Sequence, residues 1–291
     1  MSAGLQTAKE VERELLLEFI ERNVRIAPPD LDEGLGTVYE RVVLDDYFRT
    51  IQRRYGIRSV LETPADGVTG VPGLNSVEFA RNGADVTLAN PSLLMLEKAA
   101  AVWQARGFSA KLTTVQAEPE SLNPSLGAFD LVWNYCMFER FANPAGLLDE
   151  MSRFSRRYVM ILTQNRKNFG TPIHIIYHQA HRLRWDHGQL NQMSMDAICQ
   201  AMQAAGLQIR ESGTVDIPPW LDTWDMPLRG VLKSSLSAVG LNWDWSLKPG
   251  QASSEPGALV RLTRWVEHNL PDWFKASQAH HFYVLAEKVQ G

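Results

Sequence analysis

Cysteine is scarce in this chain: there are two in 291 residues, Cys136 and Cys199. They have no metal-ligand spacing and cannot build a disulfide framework. That usage fits a reducing, cytoplasmic setting. Charge of one sign is also missing, since the formal net charge is −4. Such a balance leaves no basic footprint for nucleic acid. The local clusters Arg153–Arg157 and Arg166–Lys167 read as solvated faces or helix ends. No apolar run reaches the roughly 18 residues that a membrane span needs, so no membrane partner is expected. The opening M-S-A-G-L-Q-T-A-K-E-V-E-R mixes acids and bases where a signal peptide would carry an apolar core. There is no internal repeat. The G-x-G-x-x-G spacing of dinucleotide sites and the G-K-[ST] ending of a phosphate loop are both absent.

What is present is an ordinary globular composition, 45% hydrophobic, and one organising stretch from Ile57 to Ser92. Ile57–Thr63 is a short apolar run that includes Glu62, the pattern of a buried strand. A loop with Gly67, Gly70 and Gly73 follows, broken by Pro64 and Pro72. Leu74–Asn82 has helical spacing and stops at Gly83. Ala84–Ala89 is a second strand. Strand, glycine loop, helix, strand is a βαβ unit with a right-handed crossover. Glycines in that loop read either as a tight turn or as a place where backbone approaches a ligand.

The rest of the chain continues the alternation. Ala8–Arg25 and Thr37–Tyr55 are amphipathic helices placed to pack on the sheet or to fold over its ligand edge. Ser92 caps a helix to Arg106. Ala110–Gln116 is a strand, Phe129–Tyr135 a buried strand, and Asn143-Pro144 opens a helix to about Ser155. Tyr158–Gln164 is the next strand, Ser194–Ala205 a helix, Leu207–Ile217 a strand, and His281–Val289 a closing strand. The expectation is an α/β fold, a doubly wound and mostly parallel sheet. In such sheets ligands bind beyond the carboxyl ends of the strands. Three parts are expected: an N-terminal helical cap over 1–56, a Rossmann-like domain over 57–217 and 280–291, and a helical, tryptophan-rich insertion over 218–279.

The ordered set of motifs resembles the class I S-adenosylmethionine-dependent methyltransferases over roughly Tyr39–Ile217 plus His281–Val289. Ser59–Gly73 resembles the family's first motif, Ala84–Ser92 the second strand and its turn, and Glu118-Pro119-Glu120-Ser121-Leu122 the acidic loop after strand three. Phe129–Asn134 resembles the fourth-strand motif, Phe138-Glu139-Arg140-Phe141 the segment after it, and Gly206–Ser212 the entry to strand six. The resemblance implies seven strands with the last antiparallel, and S-adenosylmethionine as cofactor. It places the methionine part of the cofactor at Glu62, Asp66, Gly67, Gly70 and Gly73, the ribose at Asn90 and the adenine by Glu118. The chain departs from the pattern at two points. The glycine loop is longer than usual, and Asn90 stands where the family carries an acid. An amide has one acceptor oxygen where a carboxylate accepts from two hydroxyls. On this reasoning Asn90→Asp should preserve or strengthen binding.

The expected activity is methyl transfer to a small-molecule acceptor. Such a reaction is mainly positioning, with a base only if the acceptor must lose a proton. His187, in W-D-H-G-Q-L, is the candidate base, against a structural histidine. Tyr177 or Glu139 is expected to orient it. Asp186 is expected to point away, as adjacent residues of an extended chain do. Asn134 and Tyr135, at the end of strand four, are candidates to meet the acceptor, and Asn134 the cofactor too, or else Asn134 caps a turn. His174, His178 and His181 share a helical face and read as a polar lid, with no metal expected. The tryptophans of 220–273 read as an acceptor box, a subdomain core or an oligomer interface, so a homo-oligomer stays open. Two rivals remain: methylation of RNA or protein, and a non-catalytic binding or regulatory protein on the same fold.

Overall fold

The computed structural model describes residues 8–26, 34–65, 73–217 and 258–289. The calls on Asp66, Gly67 and Gly70, and on Trp220, Trp224, Trp243 and Trp245, lie outside the described residues. The strands are β1 (Ser59–Glu62), β2 (Asp85–Asn90), β3 (Leu112–Gln116), β4 (Phe129–Tyr135), β5 (Ser155–Gln164), β6 (Leu207–Val215) and β7 (His281–Lys288). They form one seven-stranded sheet in the order β3-β2-β1-β4-β5-β7-β6. β1 to β5 run parallel. β7 is antiparallel to both β5 and β6.

The helices are α1 (Ala8–Ile26), α2 (Gly34–Tyr55), α3 (Val77–Arg81), α4 (Leu93–Ala105), α5 (Pro144–Phe154), α6 (Gly170–Ala180), α7 (Met195–Ala204), α8 (Ala258–Asn269) and α9 (Asp272–Gln278). Local chemistry sets several starts. Ser92 Oγ accepts from Met95 N, Asn143 Oδ1 from Gly146 N and Ser194 Oγ from Ala197 N. Each bond satisfies a helix N–H that has no intrahelical partner. α3 is shorter than its apolar spacing suggests. Ser76 stands at its N-cap but makes no capping bond, because its hydroxyl donates to Glu62. β5 begins three residues earlier than expected, since the chain leaves α5 at Phe154 and pairs at once through Ser155 with Phe129.

The core lies on both faces of the sheet. Leu131, Val132, Trp133, Val159, Met160 and Ile161 are fully buried. Each buried large aliphatic side chain stabilises the fold by about 1.5–3 kcal/mol relative to exposure. α2 belongs to this core through Leu44, Phe48 and Ile51. Phe48 stacks on Phe79 and meets the edge of Trp133. α1 joins the core through Phe19 and Ile20 and also bridges the carboxyl side of the sheet. Its Arg13 pairs with Glu118 after β3, its Glu21 reaches Ser92 after β2, and its Arg22 pairs with Asp186 at 2.5 Å. The Arg140 guanidinium lies 3.5 Å from the Phe19 ring centroid of the same helix. So α2 packs on the sheet while α1 lies across its carboxyl edge. Among the described residues no helix is long and apolar enough to cross a membrane.

Candidate active site at the carboxyl edge of the sheet

β1 ends in Glu62, whose side chain is fully buried. Ser76 Oγ donates to Glu62 Oε2, and Trp133 Nε1 donates to Ser76 Oγ at 3.1 Å. This relay fixes one carboxylate oxygen at the mouth of the first crossover. Gly73 closes the loop beside it with φ +65, and a Cβ there would lie 2.3 Å from Leu88 Cδ1. Only glycine fits both the conformation and the space. Its carbonyl accepts from Trp103 Nε1 at 3.2 Å.

Asn90 ends β2 with no exposed surface. Its Nδ2 donates to Ala65 O at 2.7 Å, and its Oδ1 accepts from Ser92 N at 2.8 Å. Both polar atoms are therefore spent on backbone. They tie the segment after β1 to the turn after β2. Glu118 carries its carboxylate 2.7 Å from Arg13 Nε. The position expected to adjoin adenine is thus covered by α1.

At the next strand ends the two expected acceptor residues part. Asn134 is buried against α5, where its Nδ2 meets Met151 Sδ at 3.4 Å. Alternation along the strand sends Tyr135 to the other face. Tyr135 Oη donates to Glu40 Oε1 at 2.5 Å. His281 Nδ1 lies 3.0 Å from the same oxygen, within ion-pair range. Burial alone would raise the Glu40 carboxyl, but His281 and the Tyr135 hydroxyl outweigh it and hold the group below its ordinary value. His280 Nδ1 lies 2.7 Å from Asp216 Oδ2, and burial leaves that carboxyl raised despite the histidine. Tyr39 donates to Glu267 of α8, whose carboxyl burial also raises. The sequence reading missed Glu40, Asp216, His280 and His281. Two signals were available: the adjacent histidines opening the closing strand, and an acid among the apolar positions of α2.

His187 lies in the segment that meets the turn after β4, where Gly188 abuts Glu139, but with other companions than expected. Its Nε2 is 3.1 Å from His178 Nε2 and 3.5 Å from Asp186 Oδ1. Glu139 is turned away: its Oε2 accepts from Thr163 Oγ1 at 2.6 Å, and burial raises its carboxyl. Tyr177 packs on the His181 ring. So neither expected orienting group acts on His187, and Asp186 is not directed away. The physical reason is the bend at Gly188, which has φ +97 and whose missing Cβ would lie 2.6 Å from Glu139 O. This is not an extended chain, so adjacent side chains need not point apart. His181 does not join His174 and His178 either, since its Nδ1 bonds Tyr177 O.

Comparison with known proteins agrees with this fold. Residues 68–161 match the family model of a methyltransferase domain. No curated protein matches significantly. Magnesium protoporphyrin IX methyltransferase from Synechocystis PCC 6803, solved with bound SAH, superposes with a TM-score of 0.52 at 12% identity, over 72% of this chain and 95% of that one. The same enzyme solved with bound SAM gives 0.51 at 13% identity, over 76% of this chain and 95% of that one. The [4+2]-cyclase SpnF gives 0.50 at 16% identity, over 85% and 81%.

Proposed function

We propose that this chain, which carries a methyltransferase domain in a class I S-adenosylmethionine-dependent methyltransferase fold, binds S-adenosylmethionine and passes its methyl group to a small-molecule acceptor. The observation that carries this is the buried Glu62 carboxylate, held by Ser76 at the end of β1 beside the tight turn at Gly73. An oriented anion next to close-approaching backbone suits the amino group and chain of a methionine moiety. The glycine loop, with Asp66, Gly67 and Gly70, adjoins it in sequence. Asn90 holds Ala65, the residue that leads into the loop, and Glu118 becomes available to an adenine once Arg13 releases it. Asn134, facing α5, takes no part in this assignment. When bound, the cofactor supplies an electrophilic methyl group on a sulfonium.

The chain's own residues then have two tasks at the acceptor. They must align it, and they must take a proton if it carries one. Glu40 and His281 suit the second task. A buried carboxylate beside Nδ1 fixes the side on which the imidazole faces the protein, leaving Nε2 to receive a proton. The Tyr135 hydroxyl holds the carboxylate in place. We assign His187 to the wall of the acceptor site, and residues 218–279 to an insertion that helps close it. The boundaries of that insertion, of the cap over 1–56 and of the central domain over 57–217 and 280–291 belong to the same proposal.

A second reading, a binding or regulatory protein without turnover, draws on Asn90 and Glu118, both engaged within the protein. Calorimetric titration with S-adenosylmethionine and S-adenosylhomocysteine tests the first reading. Binding of both is expected, with loss in Glu62→Ala. Absence of binding at millimolar cofactor would overturn it. Binding with no S-adenosylhomocysteine release across a broad acceptor panel would favour the second.

A further inference from the structure

α6 places His174 and His178 one helical turn apart on one face. The chain then reverses through Arg182, at φ 54, and bends again at Gly188. That path returns His187 onto the two helix histidines. Ring centroids of His174 and His187 are 4.4 Å apart, and those of His178 and His187 are 4.9 Å apart. One nitrogen from each of the three rings lies within 4.8 Å of the others. His178 Nε2 and His187 Nε2 lie 3.1 Å apart.

We propose that His174, His178 and His187 form a divalent metal site of the zinc class, with three imidazoles as ligands and a fourth position left for water or a substrate atom. At metal–nitrogen distances of about 2.0–2.1 Å, two ligands of a tetrahedral ion sit roughly 3.3 Å apart. The 3.1 Å pair is already close to that separation. Imidazole donors of this kind suit zinc, cobalt, nickel or copper ions and not magnesium or calcium. The surroundings are those of a supported site. His178 Nδ1 faces the Arg184 carbonyl at 2.9 Å, which places the ring proton on Nδ1 and the lone pair on Nε2. The Trp185 ring lies 4.8 Å from the His187 ring, with its Nε1 donating to Gly188 O at 2.8 Å. Asp186 Oδ1 flanks His187 Nε2 at 3.5 Å and brings negative charge to the cation. Its other oxygen pairs with Arg22 of α1, so a bound ion would also bear on the helix that covers the cofactor edge. The inference does not depend on methyl transfer, because metal binding is measured without turnover.

The test uses tag-free protein stripped by chelator and then titrated with zinc against a chromophoric competitor, and with cobalt read by its visible absorption. One equivalent is expected to bind, with a cobalt spectrum of low coordination number. His174→Ala and His187→Ala, both at half-buried positions, should each weaken binding at least about 100-fold, since loss of a mere supporting contact already costs about 10–100-fold. His181→Ala should leave it unchanged. Circular dichroism checks that the variants fold. Should either unfold, X-ray absorption of the wild-type zinc form reads the ligands directly, with three imidazoles expected. Failure to bind one equivalent, equal affinity in the folded histidine variants, or a ligand set without imidazole would overturn the proposal. The close pair would then be a hydrogen bond between two structural histidines.

Discussion

Asn90→Asp separates the family pattern from this structure. A carboxylate at the end of strand two is the family's ribose contact, so the pattern expects the substitution to strengthen cofactor binding. The observed contacts reverse that expectation. Asp keeps an oxygen for Ser92 N but replaces the Nδ2 donor with a second oxygen, 2.7 Å from Ala65 O in the unchanged geometry. The orphaned carbonyl costs about 1–3 kcal/mol, and burying a carboxylate in place of an amide adds to it. A total on the order of 3 kcal/mol corresponds to a fall in Tm of about 6–12 °C for a chain of this size. The new carboxyl can recover the bond only by protonating, and burial raises its pKa above the unfolded value of about 3.9. With the folded value raised, the recovered stability is full below that unfolded value and is lost as pH rises through the folded one. The Tm deficit should therefore be small near pH 4 and widen toward pH 7. Because Ala65 leads into the glycine loop, affinity for S-adenosylmethionine should fall as well. Thermal scans of both proteins from pH 4 to 8, with calorimetry at pH 7.5, measure this. A Tm within about 1 °C of wild type at pH 7, together with tighter cofactor binding, would refute the reasoning.

Two further predictions concern His281, beside the buried Glu40 carboxylate, and Asp45. Replacing His281 with Gln should lower kcat about 100-fold or more for an acceptor that loses a proton, while cofactor affinity holds, since general base catalysis contributes roughly 10²–10⁴-fold; an unchanged kcat would remove His281 from the chemistry. Asp45, largely buried in α2, is pushed up to about 6 by burial, with the charge of Glu78 adding to it. Its folded value is raised, so its contribution is full below the unfolded value and lost as pH rises through about 6. Asp45→Asn should then raise Tm at pH 7.5, by at most about 3 kcal/mol of stability, and the gain should shrink by pH 4.5; equal gains at both pH values would count against it.

The sheet was legible in the sequence because it rests on signals that act locally. Apolar runs between breakers mark strands such as Phe129–Tyr135, and capping residues such as Ser92 and Asn143 mark helix starts. Strand order then follows from short, right-handed connections. The site was less legible because its residues are assembled by chain reversals that carry no periodic signal. Glu40 meets His281 across most of the chain's length. His187 reaches His178 only because the chain bends at Arg182 and Gly188, and a spacing argument offers His181 in its place. Asn90 shows a third difficulty. Position along the strand placed it at the carboxyl end of β2, but an amide is both donor and acceptor, and its donor found a backbone carbonyl. A carboxylate there would have no donor to spend on the protein and would turn to hydroxyls of a ligand. The substitution that looks like a weakened ribose contact is therefore better explained as a gained structural tie. It secures Ala65, where β1 hands over to the loop that Glu62 and Gly73 frame. In this chain the second strand contributes to the cofactor edge by holding the first crossover in place.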